Sequence, residues 1–587
     1  MHEKMTDRPS DRPTDADAVD VDASLARSIE SSRSIRSPVV VTTRRSSSSS
    51  LRCRHRTMMT TTLTSCALPG RGRTKGREWN ARAKARRARA TRASSAKADA
   101  TTTNDVTTVL GQGLTQHSVV MKFGGSSVAD AARMREVATI VMSFPEEMPV
   151  LVLSAMGKTT NNLLAAGEKA LECDTKEDVR AMESLKAVRA LHMDTMDALG
   201  TDEATREDVR GLLKKLEQVC TGIALMQEVT PRTRALLVSF GERMSTRIFA
   251  AYLRSLGVNA AQMDSTDDCF VTTDDFENGS VLDETYEKTK KKLTLPPGAK
   301  PIVHVFTGFL GRGIKSGAIC TLGRGGSDLT ATVVGKALGL REVQVWKDVD
   351  GVLSADPREV QNTVPMPFLS FQEATELAYF GAQVLHPQSM RPAMDSTNLS
   401  VRVKNSYNIR APGTVIGHSR ADDMHADWLL TSIVQKKNVT MLDITSTRML
   451  GQFGFLAKVF NIMAKNGISV DVVATSEVSV SLTLDPAKLW SRDLAKEELD
   501  KLVQDFENEG IASVSYSTGH SILSLIGNVE RNNEIMERSF RALRAADIKV
   551  KMISQGASKT NISLLVDQVQ GSDAVRAIHA EFFPVKK

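Results

Sequence analysis

The sequence predicts an α/β protein, a sheet between layers of helices, followed by a pair of small β-α-β-β units. Three observations carry this. From Ser118 to about 425, short apolar runs alternate with helical stretches, the pattern of strands covered by helices. From about 426 a strand–helix–strand–strand pattern occurs twice; two copies suggest paired sensor units, since a solenoid needs about three. Residues 1 to about 115 show neither pattern.

That first segment reads as a disordered leader. Ser, Thr and Arg dominate 31–65, and between Glu30 and Asp99 only Glu78 is acidic. Hydroxyl-rich, Arg-rich and acid-poor is the composition of an organelle transit peptide; a disordered nucleic-acid-binding arm shares part of it. The opening 26 residues are acidic, unlike a transit peptide, so Met58 or Met59 is the expected initiator. Residues 1–100 hold 22 Lys and Arg against 10 Asp and Glu, and the rest of the chain holds 54 against 59. The net charge of +7 therefore belongs to the leader. A mildly acidic body argues against nucleic acid as its partner. No run of 18 uncharged apolar residues occurs, which predicts no transmembrane helix. Cys53, Cys66, Cys173, Cys220, Cys269 and Cys320 form no CxxC pair, which fits a reducing compartment.

In the body, Val119 to Phe123 is an apolar strand with Lys122 near its end. Gly124, Gly125, Ser126 and Ser127 follow, then Ala131 to Met142 at helical spacing. Strand, glycine turn and helix bring anions to backbone N–H groups, and the glycines admit phosphate oxygens close to the backbone. A ligand-free turn explains the glycine pair but not the lysine. Val150 to Ser154 is a buried strand. Residues 161–171 and 176–229 read as long helical stretches, and Ser239 to Leu256 as a further helix. Ile302 to Phe306 is a strand entering a glycine-rich loop. Ser327 to Leu338 is a helix, Glu342 to Trp346 a strand, Phe371 to Phe380 a helix and Val401 to Lys404 a closing strand. The repeated units run Val439 to Ile444, Phe455 to Lys465, 467–476 and 478–485, then Ser521 to Ile526, Asn532 to Ala546, 547–556 and 561–567.

Several motifs carry chemistry. Gly157-Lys158-Thr159 looks like the end of a Walker A loop, but Val152 stands where a glycine is required, so Lys158 is read as loop surface. No G-x-G-x-x-G follows a strand, which leaves dinucleotide binding unsupported. In Ser239-Phe240-Gly241-Glu242-Arg243, Glu242 either closes a capping box with Ser239 or holds a substrate ammonium. Within Leu322 to Leu329, Arg324 suits a carboxylate bidentately; Asp328 either orients a reacting group or caps the helix. Trp346 to Arg358, with Lys347 and Asp348, suits nucleotide and Mg²⁺ chemistry or forms a solvated turn.

Taken in order, these motifs resemble those of the aspartate kinases, specifically the monofunctional plant or algal plastid form, over about residues 117–587. Lys122 to Val128, Ser239 to Arg243, Gly323 to Asp328, Trp346 to Arg358 and Val384-Leu385-His386-Pro387 carry the resemblance. It implies an amino acid kinase α/β/α sandwich at 116–425 and two ACT-type, ferredoxin-like regulatory domains at 426–587. The first of these is about 438–515; the second is about 426–437 plus 516–587. It implies transfer of the ATP γ-phosphoryl to the β-carboxylate of L-aspartate, with Mg²⁺, as the first step toward lysine, threonine and methionine. Another amino acid kinase, acting on glutamate or N-acetylglutamate, and a catalytically dead sensor are the alternatives; the tandem ACT units and Ser239 to Arg243 argue against the former, and Lys122, Glu242 and Asp328 against the latter.

The resemblance also assigns roles. Lys122 and Asp328 are catalytic, Lys122 neutralising the transferring phosphoryl. Gly124, Gly125 and Ser126 contact phosphates, and Lys347, Asp348 and Arg358 belong to the nucleotide side. Ser154 and Thr160 lie in the substrate loop, Glu242 pairs with the aspartate ammonium, and Arg324 holds a carboxylate beside Ser327 and Asp328. Many bacterial members carry Thr at the place of Lys347 and Lys at that of Gln383, so a cation is exchanged between these positions. His386 is read as structural, because the accepting carboxylate is already ionised; general-base chemistry is the other role open to a histidine. L-lysine is the implied inhibitor, held by Met449, Phe455, Leu456 and Ala457, with Ser469, Val470, Asp471, Thr475, Ser476 and Glu477. Helix-start N–H groups suit its carboxylate, and Asp471 and Glu477 suit its ammonium groups. Plant members also use S-adenosylmethionine. A homodimer through the ACT units and a plastid stromal location complete the expectation, with no dedicated metal site, nucleic acid or membrane.

Overall fold

The computed structural model describes residues 110–584 except 383–384, 419–427, 447–452, 477, 485–486, 489–491, 494–495 and 511. Nearly all of the expected leader, and Met449 and Glu477 of the expected effector set, lie outside the described residues.

Eight strands form the first sheet, in the order Ala260–Met263, Val303–Thr307, Pro149–Leu153, Val119–Phe123, Glu342–Lys347, Ser400–Asn405, Thr414–Gly417, Phe368–Ser370. Neighbours are parallel except for Ser400–Asn405 against Thr414–Gly417. Every residue of Val119–Phe123, Pro149–Leu153 and Val303–Thr307 is buried, as helices on both faces of a parallel sheet require. Alternation along a strand divides the packing. Val119, Met121 and Phe123 enter one core with Met134, Val137 and Phe249, while Val120 enters the other with Ala331 and Val334. Because the central strands share one direction, the turns after Phe123, Leu153, Thr307 and Lys347 open on one edge of the sheet. Open α/β sheets bind ligands at that edge.

Several local expectations change. The helix bearing Glu242 is Pro231–Ser255: Thr230 caps it by accepting from the Thr233 N–H at 3.1 Å, and proline takes the first turn. Ser239 is interior and donates its hydroxyl to the Leu236 carbonyl at 2.7 Å, so the capping-box reading of Glu242 fails. Asp328 does not cap its helix either. Gly325, at φ 73°, is the cap of Gly326–Ala337, and Asp328 lies in the first turn. The stretch 176–229 resolves into Lys176–Ala181, Glu183–Leu199 and Glu203–Met226, the second break set by Gly200 at φ 64° and by the Asp202 cap. The loop after Val303–Thr307 folds into a hairpin, Leu310–Gly313 with Ile319–Thr321. Ser400–Asn405 does not close the sheet, since two further strands follow it in the order.

The second sheet runs Val470–Thr475, Ser479–Leu484, Leu430–Thr445, Ser513–Gly527, Asn561–Asp567, Met552–Ser554, antiparallel throughout. The expected strands Val439 to Ile444 and Ser521 to Ile526 are parts of the two long central ones, which run through both repeats. Their register shifts between Lys436 and Met441, beside Asn438 at φ 61° and opposite Gly519 at φ 77°, which marks where one repeat passes into the other. Helices Lys496–Asn508 and Gln568–Phe582 add a second helix to each repeat.

Helix Phe371–Tyr379 joins the two sheets. Phe380, just after it, is buried among Val439, Val472, Ile522, Met552 and Leu565 of the second sheet. Thr431 Oγ1 donates to Glu373 Oε1 at 2.6 Å, and Asn561 Nδ2 to Glu376 Oε2 at 3.1 Å. Among the described residues no helix is long and apolar enough to cross a membrane.

Candidate active site

Lys122 sits one residue before the end of its strand and points its ammonium at Asp328, Nζ to Oδ1 2.5 Å, with both side chains 11% exposed. Two turns then meet at close quarters. The Gly157 N–H donates to the Gly125 carbonyl at 3.0 Å, and a Cβ on Gly125 would stand 2.7 Å from the Ala155 oxygen. Glycine is therefore required here by contact. Ser154 Oγ donates to Ser327 Oγ at 3.0 Å, which ties the second strand's end to the start of helix Gly326–Ala337.

Glu242 reaches this place from the middle of its helix. It is buried, and its Oε1 accepts from the Ala155 N–H at 3.2 Å while Oε2 has no hydrogen-bond partner. Burial pushes its carboxyl up to about 8. Arg324 stands between Gly323 at φ 68° and Gly325 at φ 73°. Gly325 also packs on His386, whose Cβ would lie 2.5 Å from a Cβ added there. Burial lowers the His386 imidazole pKa; Arg324 lowers it further and Asp328 opposes them.

Lys122, Gly125, Ser154, Thr160, Glu242, Arg324, Ser327 and Asp328 line one cavity of about 370 Å³. It combines two cations, an ion-paired aspartate and a buried carboxyl. Lys347 ends the strand beside Lys122's. Burial holds its ammonium below the usual lysine range, Asp328 acts against that and Lys122 with it, so it shares the field of the Lys122–Asp328 pair.

The amino acid kinase family matches residues 118–405, and an ACT domain matches 523–582. The chain is 57% identical over 481 residues to chloroplastic aspartokinase 1 of Arabidopsis thaliana, covering 82% of each protein. The structure of Escherichia coli aspartokinase III with aspartate and ADP, in its R-state, matches at TM-score 0.65 and 33% identity, covering 79% of this chain and 100% of that one. The T-state structure of the same enzyme with lysine and aspartate also matches at TM-score 0.65 and 33% identity, over 79% of this chain and 99% of that one. The chain belongs to the aspartokinases. Aspartokinase transfers the γ-phosphoryl of ATP to the β-carboxylate of L-aspartate.

Of the aspartokinase residues expected from sequence, the substrate set and Lys122 converge on the cavity. Gly124 adjoins it, where an added Cβ would be 3.7 Å from Lys122 Nζ. Ser126 is exposed, with its carbonyl accepting from Arg133 Nε at 3.4 Å. Asp348 is exposed, and Arg358 is 82% exposed and held by Asp356, Nη2 to Oδ2 2.6 Å; neither lines the cavity. Sequence reasoning missed four contributors. The Ala155 N–H orients Glu242. Gly308 lets its strand end pass Ser327, whose Oγ would be 2.8 Å from an added Cβ. Asn405 and Asn408 hold the Asp350 carboxylate at 2.8 and 3.2 Å, fixing the turn after Lys347. The glycine before Phe309 was the only local signal for any of them.

The expected aspartokinase effector residues that are described lie on and beside helix Phe455–Lys465 and strand Val470–Thr475. Phe455, Leu456 and Ala457 open helix Phe455–Lys465 behind Gly454 at φ 80°. Ser469 precedes strand Val470–Thr475, and Ser476 Oγ accepts from the Ser479 N–H at 3.1 Å in the turn that follows. Asp471 is already engaged: its carboxylate, fully buried, pairs with Lys436 Nζ at 2.7 Å.

Proposed function

We propose that this cavity is where the chain binds L-aspartate and brings its β-carboxylate to ATP. The observation that carries the reading is Glu242: a buried carboxyl with one partnerless oxygen on the cavity wall is matched by a substrate ammonium. Arg324 receives the α-carboxylate as a fork, with Ser154, Thr160 and Ser327 beside it. Lys122, steadied by Asp328, neutralises the phosphoryl in flight. A carboxylate oxygen bonds to the γ-phosphorus as the bond to the ADP oxygen breaks. No proton moves, so no general base is needed, and His386 serves by packing on Gly325. Positioning and charge neutralisation dominate such a reaction.

Gly124, Gly125 and Ser126 face the nucleotide phosphates, with Lys347 and Asp348 alongside; Arg358 joins them by leaving Asp356. Bound Mg²⁺ would neutralise phosphate charge. Among the described residues no group of three His, Cys, Asp or Glu side chains could hold a metal ion. Glu242→Gln tests the reading. It should raise KM for aspartate about a hundredfold, the scale of an unmatched buried charge, and leave KM for ATP nearly unchanged. An unchanged aspartate KM overturns it.

The regulatory part of the proposal is inhibition by L-lysine through the second sheet, with Asp471 receiving an ammonium. Phe453, Leu456 and Phe460, all exposed, form an apolar patch suited to a second copy of the chain. The plastid stroma is the proposed location, on the leader's composition and the likeness to chloroplastic enzymes; S-adenosylmethionine is the proposed co-effector. Asp471→Asn should abolish lysine inhibition while turnover persists, and inhibition that persists removes Asp471 from the effector site.

A further inference from the structure

A second cavity, also about 370 Å³, lies between helix Phe371–Tyr379 and the second sheet. Its walls include Glu376 and Tyr379 from the helix, Asp471, and Gln555, Ser558 and Asn561 around the last hairpin. The chemistry reverses that of the active site. Among the described residues, one carboxylate, a phenol ring and neutral polar groups face the space, no cation lines it, and Asp471 borders it with its carboxylate closed off against Lys436. Asn561, 6% exposed, directs its amide N–H groups to Glu376 and Ser563 and leaves Oδ1 without a partner.

The chain itself displays what this place recognises. Lys436 Nζ is 2.7 Å from the Asp471 carboxylate and 5.7 Å from the centre of the Tyr379 ring. A carboxylate with an aromatic face beside it is how a primary alkylammonium is held. We propose that Lys436 is a tethered competitor: a free primary ammonium entering the cavity takes Asp471 from it, and Lys436 thereby sets the affinity of the site. This rests on the effector reading of Asp471 given above and adds a second ammonium to it.

The energetics follow from burial. A carboxylate with no exposed surface is costly without a counter-charge, and Lys436 supplies one when the cavity is empty. The incoming ammonium gains only the difference between two similar pairings. The exchange also has a route to the active site. A displaced Lys436 leaves Tyr379, on the helix that places Phe380 in the regulatory core. Beyond Gly381, at φ 103°, the chain returns to His386 against Gly325, next to Arg324.

Calorimetric titration of L-lysine into the full chain and into Lys436→Met tests this. The variant should bind lysine about tenfold more tightly, the scale of a charge-assisted pairing no longer contested. Its unliganded melting temperature should fall and recover at saturating lysine. L-norleucine, which lacks the side-chain ammonium, should gain nothing from the substitution. Lys436→Gln, which keeps a polar group beside Asp471 and removes the charge, should also tighten lysine binding, and it decides the matter if Lys436→Met does not fold. Lysine affinity unchanged or weaker in the variants overturns the proposal. The underlying reading fails separately: Asp471→Asn with normal lysine affinity removes the effector residue itself. Loss of lysine binding in Asp471→Asn beside unchanged affinity in Lys436→Met removes the tether alone.

Discussion

Among the described residues stand two buried lysine–aspartate pairs, and their neighbours read them in opposite senses. Lys122–Asp328 is 2.5 Å long and Lys436–Asp471 is 2.7 Å, each beside a cavity of about 370 Å³. Around the first stand Arg324, Gly125 and the field of Lys347. Around the second stand Glu376, the Tyr379 ring and neutral polar groups. A pair in a cationic surround presents its lysine to an anion, and the aspartate merely holds it in place. A pair in an acidic surround presents its aspartate to a cation, and the lysine merely fills it. The ion pair alone does not specify a function; the net charge of the wall behind it does.

The strongest way to break this comparison is to remove the first lysine. Lys122→Met should lower kcat about a thousandfold, the upper range for losing one electrostatic donor to a transition state, while lysine still binds by calorimetry. Turnover within about tenfold of the parent would mean that Lys122 does not meet the phosphoryl, and the two pairs would then be alike in being structural.

Next in size is the pH response of aspartate binding. Glu242 is pushed up to about 8 by burial, above its usual value near 4.5. Between those limits the free enzyme holds it protonated, yet an ammonium partner needs it ionised. Aspartate binding at pH 7 should therefore release a proton, and KM for aspartate should fall about tenfold from pH 7 to 9, one pH unit below and above the raised value. The stability sign is opposite. In the window from about 4.5 to 8 the unfolded state binds fewer protons than the folded one, so this group's contribution is fullest below the window and lost as pH rises through 8. Equal heats of aspartate binding in buffers of different ionisation enthalpy would show no proton release and refute the assignment.

The Lys122–Asp328 pair was more legible in the sequence than the Lys436–Asp471 pair, for a physical reason. Around Lys122 the determinants are local: a strand end, a glycine pair and a helix start are adjacent in the chain, and each leaves a compositional mark. Glu242 was visible as a residue, but the start of its helix was misplaced, because Ser239-x-x-Glu242 satisfies the pattern of a cap while Pro231 had already started the helix. Lys436–Asp471 joins residues on strands that do not pair with each other, and nothing in Leu430 to Thr445 signals that one strand serves both repeats. The second helices were present as a pattern, with Leu499, Leu502 and Phe506 buried at helical spacing, but their charged faces hid them beside clearer strands. Helix Phe371–Tyr379 read as another layer of the kinase, and its contact with the second sheet is tertiary.

The smallest expected effect probes the wall of the second cavity. Glu376 accepts from Asn561 through Oε2 at 3.1 Å, and glutamine keeps an acceptor there while removing the charge. If the acidic surround is what turns the pair toward cations, Glu376→Gln should weaken lysine binding about threefold, the scale of one partly solvated charge, and the loss should shrink as salt is raised. Combined with Lys436→Met it should be non-additive, because both substitutions act on the same ammonium position, the ligand's and the tether's. Strict additivity would place Glu376 outside that field. The cavity would then be a gap between helix and sheet, and the difference between the two pairs would have to come from Tyr379 alone.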